Sequence, residues 1–163
     1  MPITLSLADQ VCLAVIGEQR THGWALVKLL APEGELGRIW SLSRPLTYRS
    51  IDRLVEAGLV ERTEIGRRAE LRITSKGRRR RRAWLDTPVV HLRDLRTEFL
   101  LKLTLRDRSG LASGDLIEQQ RELLDPAISS LVDKQVDGPV DLWRQESASG
   151  ARRFLDRVAE LDR

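Results

Sequence analysis

Apolar positions along this chain recur first at helical spacing, then in alternation, then at helical spacing again. In "LADQVCLAVIGE" (7–18), Leu7, Val11, Ala14 and Val15 fall on one side of a helix, Ile16 lies close by, and Gly17 marks a stop. "THGWALVKLLAPEG" puts Trp24, Leu26, Val27, Leu29 and Leu30 on a second helix. Thr21 is a candidate N-cap there, His22 is read as a helix starter, and Pro32 and Gly34 end the run. "SRPLTYRSIDRLVEAGLVE" (43–61) predicts a third helix, with Ser43 as N-cap, Pro45 in the first turn and Gly58 just past the end. The period then changes. "LVERTEI" and "AELRITS" alternate apolar and polar residues around Gly66, Arg67 and Arg68, which is a β-hairpin signal. Three short helices followed by a hairpin make a winged helix-turn-helix.

After the hairpin the pattern is helical to the end. Ser75 is a candidate cap for a helix holding the five arginines of "GRRRRRAWL" (77–85), and "TPVVHLRDLRTEFLLKLTLRDRS" (87–109) predicts another. "SGLASG" is a linker. "DLIEQQRELLDPAISSLVDKQV" carries Ile117, Gln120, Leu124, Ala127 and Leu131 near heptad spacing, a helix packing along another, with Pro126 expected to kink it. After the "DGP" turn, Leu142, Trp143, Ala151, Phe154, Leu155, Val158 and Leu161 predict a final helix. The expected fold is mainly α (α+β). Residues 1–86 form a winged helix-turn-helix with a two-stranded wing, and residues 87–163 form a helical C-terminal region.

The third helix has two faces. On a wheel of about 100° per residue, Leu54, Val55 and Tyr48 lie within about 60° of Ile51 and face a core. Leu46, Arg49, Ser50 and Arg53 fall on the other side. Arginine can bind guanine bidentately and an apolar side chain can touch a thymine methyl, so this face suits the DNA major groove. Arg44 at the entrance and Thr47 on the flank suit phosphates near the helix N-terminus. Arg67 and Arg68 at the hairpin tip suit the backbone or a narrow minor groove. Solvated arginines on an ordinary amphipathic helix and a soluble loop tip are the plain alternatives, and the hairpin behind the helix favours DNA.

Charge divides the same way. Residues 1–90 carry 16 Lys/Arg against 10 Asp/Glu, whereas residues 91–163 carry 12 against 14. An excess of cations on one half suggests a part that faces nucleic acid and a part with another task. No apolar stretch is long enough to span a membrane, and "MPITLSLADQV" has no basic segment ahead of its apolar residues. A cytoplasmic protein with no membrane partner is expected.

Catalysis finds little support. His22, His91 and Cys12 are not spaced as metal ligands or as a nucleophile with its base. "GELG" (34–37) lacks the Lys-Ser/Thr of a phosphate loop. The chain is expected not to be an enzyme and to need no metal or cofactor. Cys12 sits in an apolar run and reads as a small core residue. Trp24, Trp40, Trp84 and Trp143 suit core or interface anchors, or the lining of an effector pocket at the junction of the two halves.

Several stretches resemble the PadR family of transcriptional regulators. "HGWALVKLL" (22–30) is similar to that family's His-Gly-aromatic helix start, "SRPLTYRSIDRLVEAGLVE" to its recognition helix, and "LRITSKGRR" (71–79) to its strand-Thr-x-x-Gly ending. "RDLRTEFLLKL" (93–103) and "LWRQES…RRFL" (142–155) resemble its longer members, whose helical C-terminal region dimerises. The resemblance implies a homodimeric regulator, usually a repressor, on a pseudo-palindromic double-stranded DNA operator. It also implies release by a small-molecule effector. Tyr48 matches the family's recognition-helix tyrosine, a phosphate contact, although the wheel puts it near the core. Arg80 and Arg81 stand where the family is small or apolar, and they are expected to lay their stems on Trp84. A winged-helix module that binds protein rather than specific DNA is the reading from another class.

Overall fold

A computed structural model describes residues 4–161; the outer ends of the two expected domains, residues 1–3 and 162–163, lie outside them. Helix α1 (Leu7–Ile16) starts at a capping box in which the Asp9 backbone N–H donates to Ser6 Oγ and the Ser6 N–H donates to Asp9 Oδ2. Every residue from Val11 to Ile16 is buried, so α1 is the central rod of the first core. Helix α2 (Gly23–Leu30) is capped by His22, whose Nδ1 accepts from the Ala25 N–H, and not by Thr21. Thr21 instead forms a bridge with Leu71, giving and receiving one backbone hydrogen bond. Helix α3 (Arg44–Glu56) ends at Gly58, whose φ of +68° is the left-handed turn expected there.

Strands β1 (Val60–Ile65) and β2 (Arg68–Ile73) pair antiparallel from Val60↔Ile73 to Ile65↔Arg68. Gly66, with φ +62°, opens the two-residue turn between them. Only the base of this hairpin reaches the core, through Val60, Leu71 and Ile73. Its tip stands in solvent. Helix α4 (Ser75–Asp86) follows, capped by Thr74 rather than Ser75, because Thr74 Oγ1 accepts from the Gly77 N–H.

The single helix expected over 87–109 is interrupted. Thr87 takes an extended conformation (φ −95°, ψ 124°), which a residue before proline prefers, and Pro88 follows it. A 3-10 turn (Leu92–Arg96) then leads into α5 (Glu98–Arg108). Helix α5 serves two cores. Its Leu101 and Leu105 pack with α1, whereas its Phe99 joins Val89, Leu95, Leu116, Ile117, Leu124, Ile128, Ala148 and Leu155 in a second cluster.

Helices α6 (Gly114–Val132) and α7 (Pro139–Leu161) complete that second core. The pairs Arg121–Asp156 (2.8 Å), Arg152–Ser129 (2.8 Å) and Gln145–Val132 O (2.7 Å) run in opposite directions along the two, so they form an antiparallel hairpin. The buried stripe of α6 passes through Ile128, and Ala127 is exposed. Of the positions read near heptad spacing, Ile117, Gln120 and Leu124 are buried and Leu131 packs against the same core, with Ile128 taking the inward place expected of Ala127. Gln120 is buried because both ends of its amide are satisfied: Nε2 donates to Val89 O (2.8 Å) and Oε1 accepts from Val89 N (2.7 Å). The first turn of α7 has no cover. Val140, Leu142 and Trp143 are exposed, as is Leu161 at its other end.

Candidate nucleic-acid interface

Helix α3 packs on α1 through Thr47, Ser50, Ile51 and Leu54, all buried. This corrects the sequence reading at two positions. Thr47 is fully buried and its Oγ1 donates to Ser43 O (3.0 Å); Ser50 is 4% exposed. Neither side chain can reach a partner from solution. The core side holds Ile51 and Leu54 as read from the sequence, with Tyr48 and Val55 partly buried against it, and Thr47 and Ser50 widen it on the other flank. The outer face holds Leu46, Arg49, Asp52, Arg53 and Glu56.

Arg49 makes no ion pair among the described residues. Arg53 does: its Nη1 lies 3.3 Å from Asp9 Oδ2 of α1. Asp9 is fully buried and its Oδ1 has no hydrogen-bond partner, so Arg53 supplies the compensating charge for a carboxylate in the first core. Arg53 nevertheless keeps about half of its side chain exposed. Asp52 is answered by Arg62 of β1, whose Nη2 donates at 2.6 Å, and this contact ties the wing to α3.

A cationic corner lies where α2 meets the start of α3. The Arg44 guanidinium stands 5.5 Å from the Trp24 ring and 5.8 Å from the Tyr48 ring, and Lys28 stands 5.8 Å from Trp24. Trp24 is 47% exposed and works here as a platform, a role that sequence reasoning did not give it. Tyr48 is half-buried against Gly23: a Cβ at Gly23 would come within 2.6 Å of Tyr48 Cε1. The "HG" pair thus has a physical purpose, one residue capping α2 and the other making room for the tyrosine. Arg67 and Arg68 are exposed at the wing tip, at one end of the hairpin.

The five arginines of α4 behave differently. Arg78 donates to Ile73 O (3.2 Å) and Ser75 Oγ (3.1 Å). Arg81 crosses to α1, donating through Nε to Ala14 O (3.0 Å) and through Nη2 to Ser109 Oγ (2.5 Å). Burial pushes its pKa down, with Glu18 opposing the shift, and arginine stays charged regardless. Gly17 permits this crossing, since a Cβ there would meet Arg81 Cδ at 2.3 Å. Arg82 pairs with Asp86 at 3.5 Å on the surface.

Lys102 stands 5.1 Å from the Trp84 ring, whereas Arg81, one of the two arginines expected there, is committed to Ala14 O and Ser109 Oγ. Lys102 is 1% exposed, donates to Thr87 O (2.7 Å) and pairs with Glu98 (2.8 Å), which also accepts from Trp84 Nε1 (2.9 Å). Burial lowers its pKa and Glu98 pulls it back. This network closes the junction between the two cores with its charges already answered. Cys12 is fully buried, and burial, then the nearby Asp9 charge, push its thiol up to about 12. Such a thiol is inert.

No group of His, Cys, Asp and Glu among the described residues could hold a metal ion, and no helix is long and apolar enough to cross a membrane. What the geometry presents is a winged helix-turn-helix with a helical extension. Solved structures similar to this chain include a Bacillus subtilis PadR in complex with operator DNA, 16% identical over 94% of each chain with a TM-score of 0.46. The same protein in complex with p-coumaric acid is 17% identical, covering 96% of this chain and 99% of that one, with a TM-score of 0.48. A PadR-like transcriptional regulator from Bacillus cereus is 20% identical, covering 95% and 97%, with a TM-score of 0.45. No family model and no curated protein matches the sequence.

Proposed function

We propose that the chain is a DNA-binding transcriptional regulator that reads double-stranded DNA with the outer face of α3. The observation that carries this reading is that face itself. Leu46 and Arg49 project from a helix fixed to α1 on its opposite side, with Arg53 half-exposed beside them and a wing held by Arg62–Asp52. Arg44 and Tyr48 at the helix entrance, and Arg67 and Arg68 at the wing tip, are assigned to phosphates, which position a protein on the duplex without reading sequence. The helical region, 87–163, is assigned to homodimerisation, because Val140 and Leu142 leave an apolar surface on α7 that one chain does not cover. A dimer sets two recognition helices about 34 Å apart, so the operator is expected to be pseudo-palindromic and the action repressive, with a small molecule releasing the DNA.

Footprinting on the DNA around the chain's own gene tests this reading. The expected result is a two-fold protected site whose occupancy falls steeply with salt. Uniform retention on any duplex, or none, points instead to a winged helix that binds protein. Light scattering checks the assembly: a dimer is expected for the full chain and a monomer for the Val140→Glu/Leu142→Glu pair.

A further inference from the structure

One carboxylate of the first core reaches the outer face of α3. Asp9 has no exposed surface, and the capping box of α1 fixes its place. Its Oδ2 accepts from the Ser6 N–H at 2.9 Å, and the Asp9 N–H donates back to Ser6 Oγ at 3.2 Å. The same Oδ2 lies 3.3 Å from Arg53 Nη1, where α1 and α3 pack together. A side chain fixed by bonds to its own helix start thus holds one end of a long, rotatable one.

Only one nitrogen of Arg53 is taken. Its Nε and Nη2 have no partner among the described residues, and about half of the side chain is open to solution. The next acid on α3 does not compete, because Asp52 is answered by Arg62. Nε and Nη2 form one edge of the guanidinium plane, and two parallel N–H donors match guanine O6 and N7. A phosphate contact would gain little from this arrangement. Attraction to phosphate follows charge, and the Asp9 carboxylate offsets the charge of the arginine beside it. Base reading follows direction, and a guanidinium already held by one nitrogen loses less rotamer freedom when its other edge is engaged. Arg49, one turn earlier on the same face, has no such support.

We propose that Asp9 is a positioning residue for DNA recognition, which aims the free edge of Arg53 at one guanine in the stretch of DNA that each α3 covers. This role rests on α3 being the reading helix, and it adds which buried residue sets the selectivity of that helix. Asp9 acts through Arg53 and does not itself touch DNA, since it is fully buried.

Selection of sites from random duplexes by the full-length chain tests this role. One position under α3 should hold guanine with a strong preference in the parent. Asp9→Asn keeps the shape and an acceptor for the Ser6 N–H but removes the charge. It should lower the guanine preference at that position by at least about fivefold and leave the other positions as they are. Arg53→Lys, which presents no pair of parallel donors, should flatten the same position. In an Arg53→Ala background, Asp9→Asn should alter no position further. Ser6→Ala breaks the other half of the capping box and keeps the carboxylate, so it should lower stability in urea unfolding and leave every base preference in place. The proposal is overturned if Asp9→Asn or Arg53→Lys keeps the guanine preference of the parent, or if Ser6→Ala flattens the same position. It is also overturned if Asp9→Asn changes affinity for all sites alike, which would make Arg53 a phosphate contact. If the parent itself selects no sequence, the assignment of α3 as the reading helix falls, and the role of Asp9 falls with it; if the parent selects a site and Asp9→Asn selects the same one, only the role of Asp9 falls.

Discussion

Two sets of arginines lie at either end of the winged region, and their densities mislead. Helix α4 has five in a row, yet Arg78 and Arg81 spend their guanidinium groups on backbone carbonyls and hydroxyls of the protein, and Arg82 leans on Asp86. Helix α3 has only three, spread over ten positions. Arg49 is open to solution, Arg44 lies over two aromatic rings, and Arg53 is half-committed to a buried carboxylate. Charge count in a sequence measures the long-range field, and hydrogen bonding within the fold decides which cations remain available to a partner.

Removing arginines one at a time separates the two sets. Arg81→Ala has the largest expected effect on stability. It deletes two charge-assisted bonds that bridge α4 to α1 and to the end of α5, and should lower the unfolding free energy by about 2–3 kcal/mol in urea titrations. Operator binding by the folded fraction should not change. Arg49→Ala should do the reverse, weakening operator binding by about 1–3 kcal/mol and moving unfolding by less than about 0.5 kcal/mol. If Arg81→Ala lost DNA and kept its stability, the assignment of the two sets would be inverted.

Arg53 belongs to both. Arg53→Ala should lower stability by about 1 kcal/mol by leaving Asp9 buried without its counter-charge, and should weaken DNA binding as well. Adding Asp9→Asn should restore the stability and leave the binding defect, measured by urea unfolding and by gel shift on one pair of samples. The smallest effect is expected from Arg82→Ala, whose ion pair is surface-exposed: less than about 0.5 kcal/mol in the same unfolding assay, and no change on DNA.

Much of the winged region was legible because its signals are local. The change of period at Leu59, the turn at Gly66 and the helix stop at Gly58 are each written in consecutive residues, and the structure has them in place. What escaped depends on neighbours far along the chain. Thr47 and Ser50 are polar and looked like part of the outer face; burial against α1 claims them, because Thr47 finds an acceptor in its own helix. Lys102 read as one charge in a leucine-rich helix, and only the fold brings Thr87, Glu98 and Trp84 around it. The contact of Asp9 with Arg53 was equally invisible, since it joins α1 to α3 across the fold. Asp9 was a possible clue, an acid at the start of an apolar run, and a buried acid calls for a partner.

Helix α5 has a practical meaning for anyone who wishes to recombine this protein. A cut at residue 87, where the sequence divides most naturally, would carry Leu101 and Leu105 away from α1 and leave the first core open on one side. A cut after α5 would strand Phe99 in water. The two halves share a party wall, and a chimera has to keep α5 with the winged half while repainting its other side to suit the new neighbour.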